Sequence, residues 1–181
     1  MTRRNAVRKR KSWDVYFMGI ARLVAERSTC LRRQVGAVLV RDRRILCTGY
    51  NGPPHGVAHC DVVGCLRAKL KLAPGERIEI CRGIHAEQNA LVQAAAFGIG
   101  VRGATLYCTH EPCITCTKML LNAGIGLFVV GENYPDPLRQ QMLRQAGGSL
   151  KLLGRHGRKV GGVAGRRPKS EGHAAARARR A

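Results

Sequence analysis

The chain has 181 residues, 45% of them hydrophobic and only 4% aromatic, which fits one domain with a core of ordinary size. This composition excludes wholesale disorder, and so few aromatics exclude a stacking platform for single-stranded nucleic acid. The formal net charge of +21 is uneven: residues 1–11 carry +6, residues 151–181 carry +9, and the stretch between them only +6.

Residues 13–27 are predicted to form an amphipathic helix, with Ser12 as N-cap and Trp13, Phe17, Ile20, Ala21 and Val24 at helical spacing. Val35–Val40 and Ile45–Tyr50 read as strands, and the polar run Arg41–Arg44 between them predicts a hairpin. Residues 51–83 are irregular, with Gly52-Pro53-Pro54, three cysteines and two histidines, and a loop of that length needs a staple or a function. Residues 85–97 read as a buried helix stopped by Gly98, and residues 104–109 as a short strand. A helix over 113–122 follows, with Pro112 at its opening and Gly124 at its close, and then an apolar strand over 125–131. A helix over 138–146 and a strand over 149–153 complete the order α-β-β-α-β-α-β-α-β. That alternation predicts an α/β fold, a mixed sheet with helices on its faces. From residue 154 onward Gly, Ala, Arg and Lys recur without periodicity. The expected organisation is therefore a basic extension (1–11), a folded domain (12–153) and a disordered basic tail (154–181).

All eight cysteines lie between residues 30 and 116. The basic start runs into Ser12-Trp13-Asp14-Val15-Tyr16 without the apolar run of a secretory leader, and no stretch approaches the ~20 apolar residues of a membrane span. The expectation is a reduced, cytoplasmic protein, in which clustered cysteine and histidine mean metal more often than disulfides.

Two segments carry the chemistry: His85-Ala86-Glu87 and Pro112-Cys113-Ile114-Thr115-Cys116, each at a predicted helix start. Cysteines three apart share one helix face and can hold one metal ion. Zinc takes thiolate and imidazole in a tetrahedron, and three protein ligands leave the fourth position for water. His85, Cys113 and Cys116 supply three, and the electropositive helix starts favour thiolate. Glu87 stands apart from the ligands, suited to moving a proton. Histidine-x-glutamate followed by Pro-Cys-x-x-Cys matches the signature of zinc deaminases. A purely structural zinc, or a helix with a stray histidine, is the alternative to a catalytic centre here.

Further residues carry a resemblance. Arg27-Ser28-Thr29-Cys30, Gln34-Val35-Gly36-Ala37, Gly49-Tyr50-Asn51-Gly52, His85–Ala90, Tyr107–Cys113 and Leu121–Ile125 together resemble the deoxycytidylate (dCMP) deaminases of the cytidine-deaminase-like superfamily, including its late-competence branch, over residues 12–153. The resemblance implies a three-layer α/β/α sandwich and zinc-dependent hydrolysis of dCMP to dUMP, a step in pyrimidine deoxynucleotide supply. It implies Glu87 as proton shuttle, with Asn51 and the Ala86 backbone holding sugar and base and Tyr134 lining the pocket. Asn51 also reads simply as a turn residue before Gly52-Pro53-Pro54. Gly49, Tyr50 and Gly52 resemble the element where regulated members bind dCTP, which implies activation by dCTP and inhibition by dTTP. A second, structural zinc is implied for Cys30, Cys60 and Cys81, with Cys65 or His59 completing the set. Homo-oligomers are the family habit.

Cys47 and Cys108 sit in apolar strands and read as small buried hydrophobes, while His55 and His110 read as surface residues. The rival enzyme is a tRNA adenosine deaminase, against which stand Gly49–Gly52 and the cysteine-bearing insertion. A riboflavin-pathway deaminase domain would adjoin a reductase for which the chain is too short. A non-catalytic nucleic-acid binder using the basic ends is the alternative of another class, and Glu87 gives it no purpose. The ends read instead as solvated segments: Arg outnumbers Lys 24 to 8, a bias that a GC-rich genome produces without selection for binding.

Overall fold

The computed structural model of the chain describes residues 10–134, 136–154 and 159–163. Helix α1 (Trp13–Ala25) starts at Ser12, whose side chain accepts the Val15 N–H at 3.4 Å. Strands β1 (Gly36–Arg41) and β2 (Arg44–Tyr50) form the expected hairpin. Asp42 and Arg43 both take left-handed φ values (51° and 60°), as a two-residue turn matched to strand twist requires. Helix α4 (Ala86–Ala96), strand β3 (Thr105–His110), helix α5 (Ile114–Asn122), strand β4 (Leu127–Glu132), helix α6 (Pro137–Gln145) and strand β5 (Ser149–Leu153) follow near their predicted places. Between β2 and α4 the irregular segment holds two one-turn helices, α2 (Cys60–Val63) and α3 (Leu66–Lys69), and a 3-10 turn at Ile78–Ile80. These elements are too short to leave a periodic signal in sequence.

The sheet order is β2-β1-β3-β4-β5-β6, where β6 is Lys159–Val163. β3, β4 and β5 run parallel, and β2, β1 and β6 are antiparallel to their neighbours. Strand residues alternate between two cores. Leu39, Leu106, Cys108, Phe128 and Val130 pack with Ala86, Ala90, Leu120 and Leu143, beneath α4, α5 and α6. Val38, Val40, Tyr107 and Val129 pack with Phe17, Met18 and Ala21 of α1 on the other face. The fold is thus the three-layer α/β/α sandwich.

Two glycines set the spacing of its layers. A Cβ on Gly36 would meet the backbone of α1, 2.6 Å from the Ala25 nitrogen; one on Gly49 would meet α4, 2.5 Å from the Ala90 nitrogen and in collision with the Ala86 carbonyl. Gly49 thereby lets the first turn of α4 rest directly on β2.

Strand β6 corrects the expectation that the folded domain ends at residue 153. Leu150 pairs with Val163 and Leu152 with Gly161. The pairing is made by backbone, and a Cβ on Gly162 would stand 2.5 Å from the Leu150 carbonyl oxygen. Glycines needed for close approach made this strand look like low-complexity sequence. The rest of both expected extensions (1–9, 155–158 and 164–181) lies outside the described residues. Among the described residues, no helix is long and apolar enough to cross a membrane.

Candidate active site

Helices α4 and α5 both begin at the same cavity. His85 is the N-cap of α4, and its backbone N–H is received by the Gln88 side chain at 2.9 Å. Cys113 is the N-cap of α5, and its sulfur accepts the Cys116 backbone N–H at 3.5 Å. The parallel register of β3 and β4 and the packing of β2 under α4 bring the two helix starts together. His85 Nδ1 then lies 3.5 Å from Cys113 Sγ and 3.3 Å from Cys116 Sγ. A tetrahedral zinc, with bonds of about 2.0–2.1 Å to nitrogen and about 2.3 Å to sulfur, holds such donors about 3.6 Å apart. The donor set therefore fits zinc in both chemistry and spacing. It is also the one cluster of three or more such residues within ligand distance among the described residues.

The three groups share protons, and only Cys113 is shifted toward its ligating form. The Cys113 thiol is pulled down to about 4, first by its hydrogen bond with Cys116, against the opposing effect of burial, and with further help from His85. Cys116, the other partner of that bond, moves up, so one shared proton rests on its side. His85 is shifted upward, chiefly by its bond to Cys113. A divalent cation would displace these protons.

Glu87, second residue of α4, is 4% exposed, and burial pushes its carboxyl up to about 7. A carboxyl poised near neutrality can both give and accept a proton. It lines a cavity of about 320 Å³ together with His85, Ala86, Cys113, Asn51 and Tyr134, so the structure brings the expected residues of the centre to one place.

Asn51 lines that cavity, yet its amide also ties down the chain before β1. Its Oδ1 accepts the Val35 N–H at 2.8 Å, and its Nδ2 donates to the Arg33 carbonyl at 2.9 Å. Gly52 lines the cavity as well and pairs with Ile84 across the neck of the insertion. Gly49 and Tyr50 are not among the lining residues: the first packs on α4, and the second offers its carbonyl to Asn89 Nδ2 at 2.6 Å. Cys30, Cys60, Cys65 and Cys81 all line the cavity. The Cys60 thiol is pushed up, first by burial and then by the other three, which places them in one electrostatic neighbourhood. They do not meet at ligand distance in the way His85, Cys113 and Cys116 do. His59 is exposed, with its Nδ1 engaged by Thr29 Oγ1 at 2.8 Å. Cys47 and Cys108 are buried in their strands as expected.

Sequence reasoning missed several cavity residues. His110 lines the cavity instead of the outer surface; its Nε2 faces Glu132 at 3.2 Å, and burial lowers its pKa. Glu111 lines it too and binds the buried Arg139 of α6 at 2.6 Å. The same Glu111 oxygen accepts the Tyr134 N–H at 2.8 Å, while Arg139 donates to the Tyr134 carbonyl at 3.2 Å, so this pair fixes both backbone groups of Tyr134. Arg32, Arg33 and Arg67 also face the cavity. Only the acidic residue beside Pro112 carried any local signal.

Comparison with known proteins agrees with this geometry. The chain is 42% identical over 144 residues to the deoxycytidylate deaminase of Schizosaccharomyces pombe, covering 80% of this chain and 44% of that one. It is 44% identical over 146 residues to ComE operon protein 2 of Bacillus subtilis, covering 80% of this chain and 73% of the relative. The chain thus spans less than half the length of the yeast relative. A crystal structure of dCMP deaminase from the cyanophage S-TIM5 in complex with dCMP and dUMP matches with a TM-score of 0.66 and 31% identity, over 80% of this chain and 99% of that one. Residues 11–132 match the family described as the cytidine and deoxycytidylate deaminase zinc-binding region, and the chain belongs to that family.

Proposed function

We propose that the chain catalyses the zinc-dependent hydrolytic deamination of dCMP to dUMP, releasing ammonia. The observation that carries this reading is the convergence of His85, Cys113 and Cys116 at two helix starts beside the buried Glu87 in one cavity. Relatives named deoxycytidylate deaminase and the cyanophage enzyme bound to dCMP and dUMP support the substrate.

His85, Cys113 and Cys116 would hold zinc. When bound, the metal supplies Lewis acidity that brings the pKa of a water molecule to ~7. Glu87 takes the proton released by that water and delivers it to the ring nitrogen N3 of cytosine. The water oxygen bonds to C4 as that proton reaches N3; Glu87 then moves the remaining water proton to the amino group on C4, so that the C4–N bond breaks, ammonia leaves and C4 becomes a carbonyl. The Ala86 backbone, at the electropositive start of α4, lies against the base. Each polar atom of the Asn51 amide uses one bond on the scaffold and keeps another for the sugar. Tyr134, held by Glu111 and Arg139, closes the wall. Absorbance of dCMP falls on conversion to dUMP, so incubation with the zinc-loaded protein tests the reading. A flat trace with dCMP, together with inosine formation in tRNA, would transfer the activity to the rival enzyme class.

The reading extends to a reduced cytoplasmic homo-oligomer regulated by dCTP and dTTP. A dCMP saturation curve that neither nucleotide moves would count against regulation. It also includes a second zinc at Cys30, Cys60 and Cys81. Cys65 is the better fourth ligand than His59, being buried where His59 is exposed. Elemental analysis giving one zinc per chain would exclude this.

A further inference from the structure

Strand β2 forms one edge of the sheet, so among the described residues its outward backbone groups have no neighbouring strand to pair with. Two of them are answered from α4 instead. The Thr48 N–H donates to Gln93 Oε1 at 3.0 Å, and the Tyr50 carbonyl accepts from Asn89 Nδ2 at 2.6 Å. The spacing suits both elements. Residues two apart on a strand face the same way and lie ~6.8 Å apart, while residues four apart on a helix share a face and lie ~6 Å apart along its axis. Asn89 and Gln93 are thus two rungs that tie α4 to the edge of β2, and Gly49, between Thr48 and Tyr50, lets the helix backbone come close enough.

The two rungs stand differently toward the chemistry. Gln93 is exposed and lies in the second half of α4. Asn89 is half-buried at the end of the first turn, and its own N–H closes that turn on the His85 carbonyl at 2.9 Å. Ala86 and Glu87 line the cavity, and Asn89 is not among the lining residues. Its partner strand end is held from the other side. Asn51, next to Tyr50, donates its N–H to the Val35 carbonyl at 3.1 Å and accepts the Ser28 hydroxyl on its own carbonyl at 2.7 Å. Its side chain bonds the backbone of Val35 and Arg33 as well. Asn89 therefore fastens the start of α4, two residues beyond Glu87, to a well-held strand end one residue before Asn51.

Helix formation alone does not account for an asparagine at this position. Around it stand Ala, Glu, Gln and Leu, all strong helix formers, whereas asparagine is a weaker one whose amide competes for backbone groups. Here that amide is engaged by the strand.

We propose that Asn89 is a positioning residue: through the Tyr50 carbonyl it registers the first turn of α4, and so the Glu87 carboxyl, against the strand end that presents Asn51 to the cavity. This rests on the deaminase reading and deepens it. The acid that moves protons and the amide that would hold the sugar belong to different elements, and the Asn89–Tyr50 bond ties one to the other. The Gln93 rung holds the far half of the helix and leaves the placement of Glu87 to Asn89.

The test compares the zinc-loaded wild type with Asn89→Asp, Asn89→Leu, Asn89→Gln and Gln93→Leu, by dCMP saturation kinetics and by amide hydrogen exchange followed by NMR. Asn89→Asp matches asparagine in size but offers the Tyr50 carbonyl no N–H. It should lose about 10–100-fold in kcat, with KM unchanged and zinc at wild-type stoichiometry, because a displacement of ~1 Å at a reacting group costs up to about that much. Asn89→Leu should behave alike, and Asn89→Gln, which carries the amide on a longer stem, should recover part of the loss; if Asn89→Leu does not fold, Asn89→Asp and Asn89→Gln carry the comparison. Gln93→Leu should lower the melting temperature and leave kcat unchanged. The N–H groups of residues 89–91 should exchange faster in Asn89→Asp, and those of residues 94–97 in Gln93→Leu. Wild-type kcat in Asn89→Asp, or an equal loss of kcat in Gln93→Leu, overturns the proposal, because either outcome reduces Asn89 to a contribution to helix stability. A rise in KM at unchanged kcat overturns it too and assigns Asn89 to substrate binding. If the wild type leaves dCMP unreacted, the deaminase reading falls and the exchange rates judge the anchor by themselves: unchanged exchange at residues 89–91 in Asn89→Asp overturns it.

Discussion

Replacing Arg139 by Met should destabilise the fold severely for its size of change. The guanidinium is 1% exposed and the Glu111 carboxylate 4% at the side chain, and they meet at 2.6 Å. Removing the cation leaves Glu111 buried with the Tyr134 N–H at 2.8 Å as its remaining partner. Breaking one side of a buried pair typically costs ~3–5 kcal/mol, against a total stability of ~5–15 kcal/mol for a domain. Urea unfolding of the zinc-loaded protein, followed by circular dichroism, measures this as a shift of midpoint at constant slope. The double variant Glu111→Leu/Arg139→Met removes both charges and should cost clearly less than the two single variants added together, because neither charge is left stranded. A single-variant loss below ~1 kcal/mol, or strict additivity in the double variant, would refute the reasoning.

Other perturbations follow from the same geometry. Glu87→Gln should keep zinc at wild-type stoichiometry and lose about 10²–10⁴-fold in turnover; full activity would remove Glu87 from the mechanism. Gly49→Ala drives a methyl group into the start of α4, 2.5 Å from the Ala90 nitrogen, and should lower stability by ~1–3 kcal/mol in thermal unfolding. An unchanged melting temperature would show that α4 can lift from β2 at no cost. A chain ending at Leu153 loses β6 and exposes β5 as an edge, so light scattering should report increased self-association.

The layers and the metal cluster were legible in sequence because each strand, helix and ligand-bearing helix start carries its own local pattern. An unbroken apolar run marked β1, and helix-start spacing marked Cys113 and Cys116. What escaped is recorded between elements. Arg32 reaches the cavity from ahead of β1 and Arg67 from within the long insertion, and Glu111 finds Arg139 across β4 and the Tyr134 turn. No local period announces either pair. Glycines hid packing: Gly49 seats a helix on a strand, and Gly161 and Gly162, which resembled a featureless tail, lie in a strand. The charge of +21 gave no sign of the cavity's three arginines, which no count over segments separates out.

The spacing of the two signature segments has a structural cause that can itself be tested. His85 and Cys113 are both N-caps, with extended backbone (ψ 156° and 169°), so their side chains emerge where the helix presents its free N–H groups. Two residues after the cap, Glu87 falls inside the fold, 4% exposed. One position further on, the Gln88 side chain turns back to receive the His85 N–H at 2.9 Å and approaches Met119 Sδ at 3.8 Å on the outer side. A carboxylate at 88 would therefore serve as a capping group and stay away from the cavity. The variant Glu87→Ala/Gln88→Glu moves the acid by one residue and keeps the composition of the turn nearly intact. It should retain zinc and melt close to the Glu87→Ala single variant, yet recover none of the lost dCMP turnover. Recovery to within tenfold of wild type would mean that the carboxylate acts without being fixed by the helix start, and the two-residue spacing would lose its physical basis.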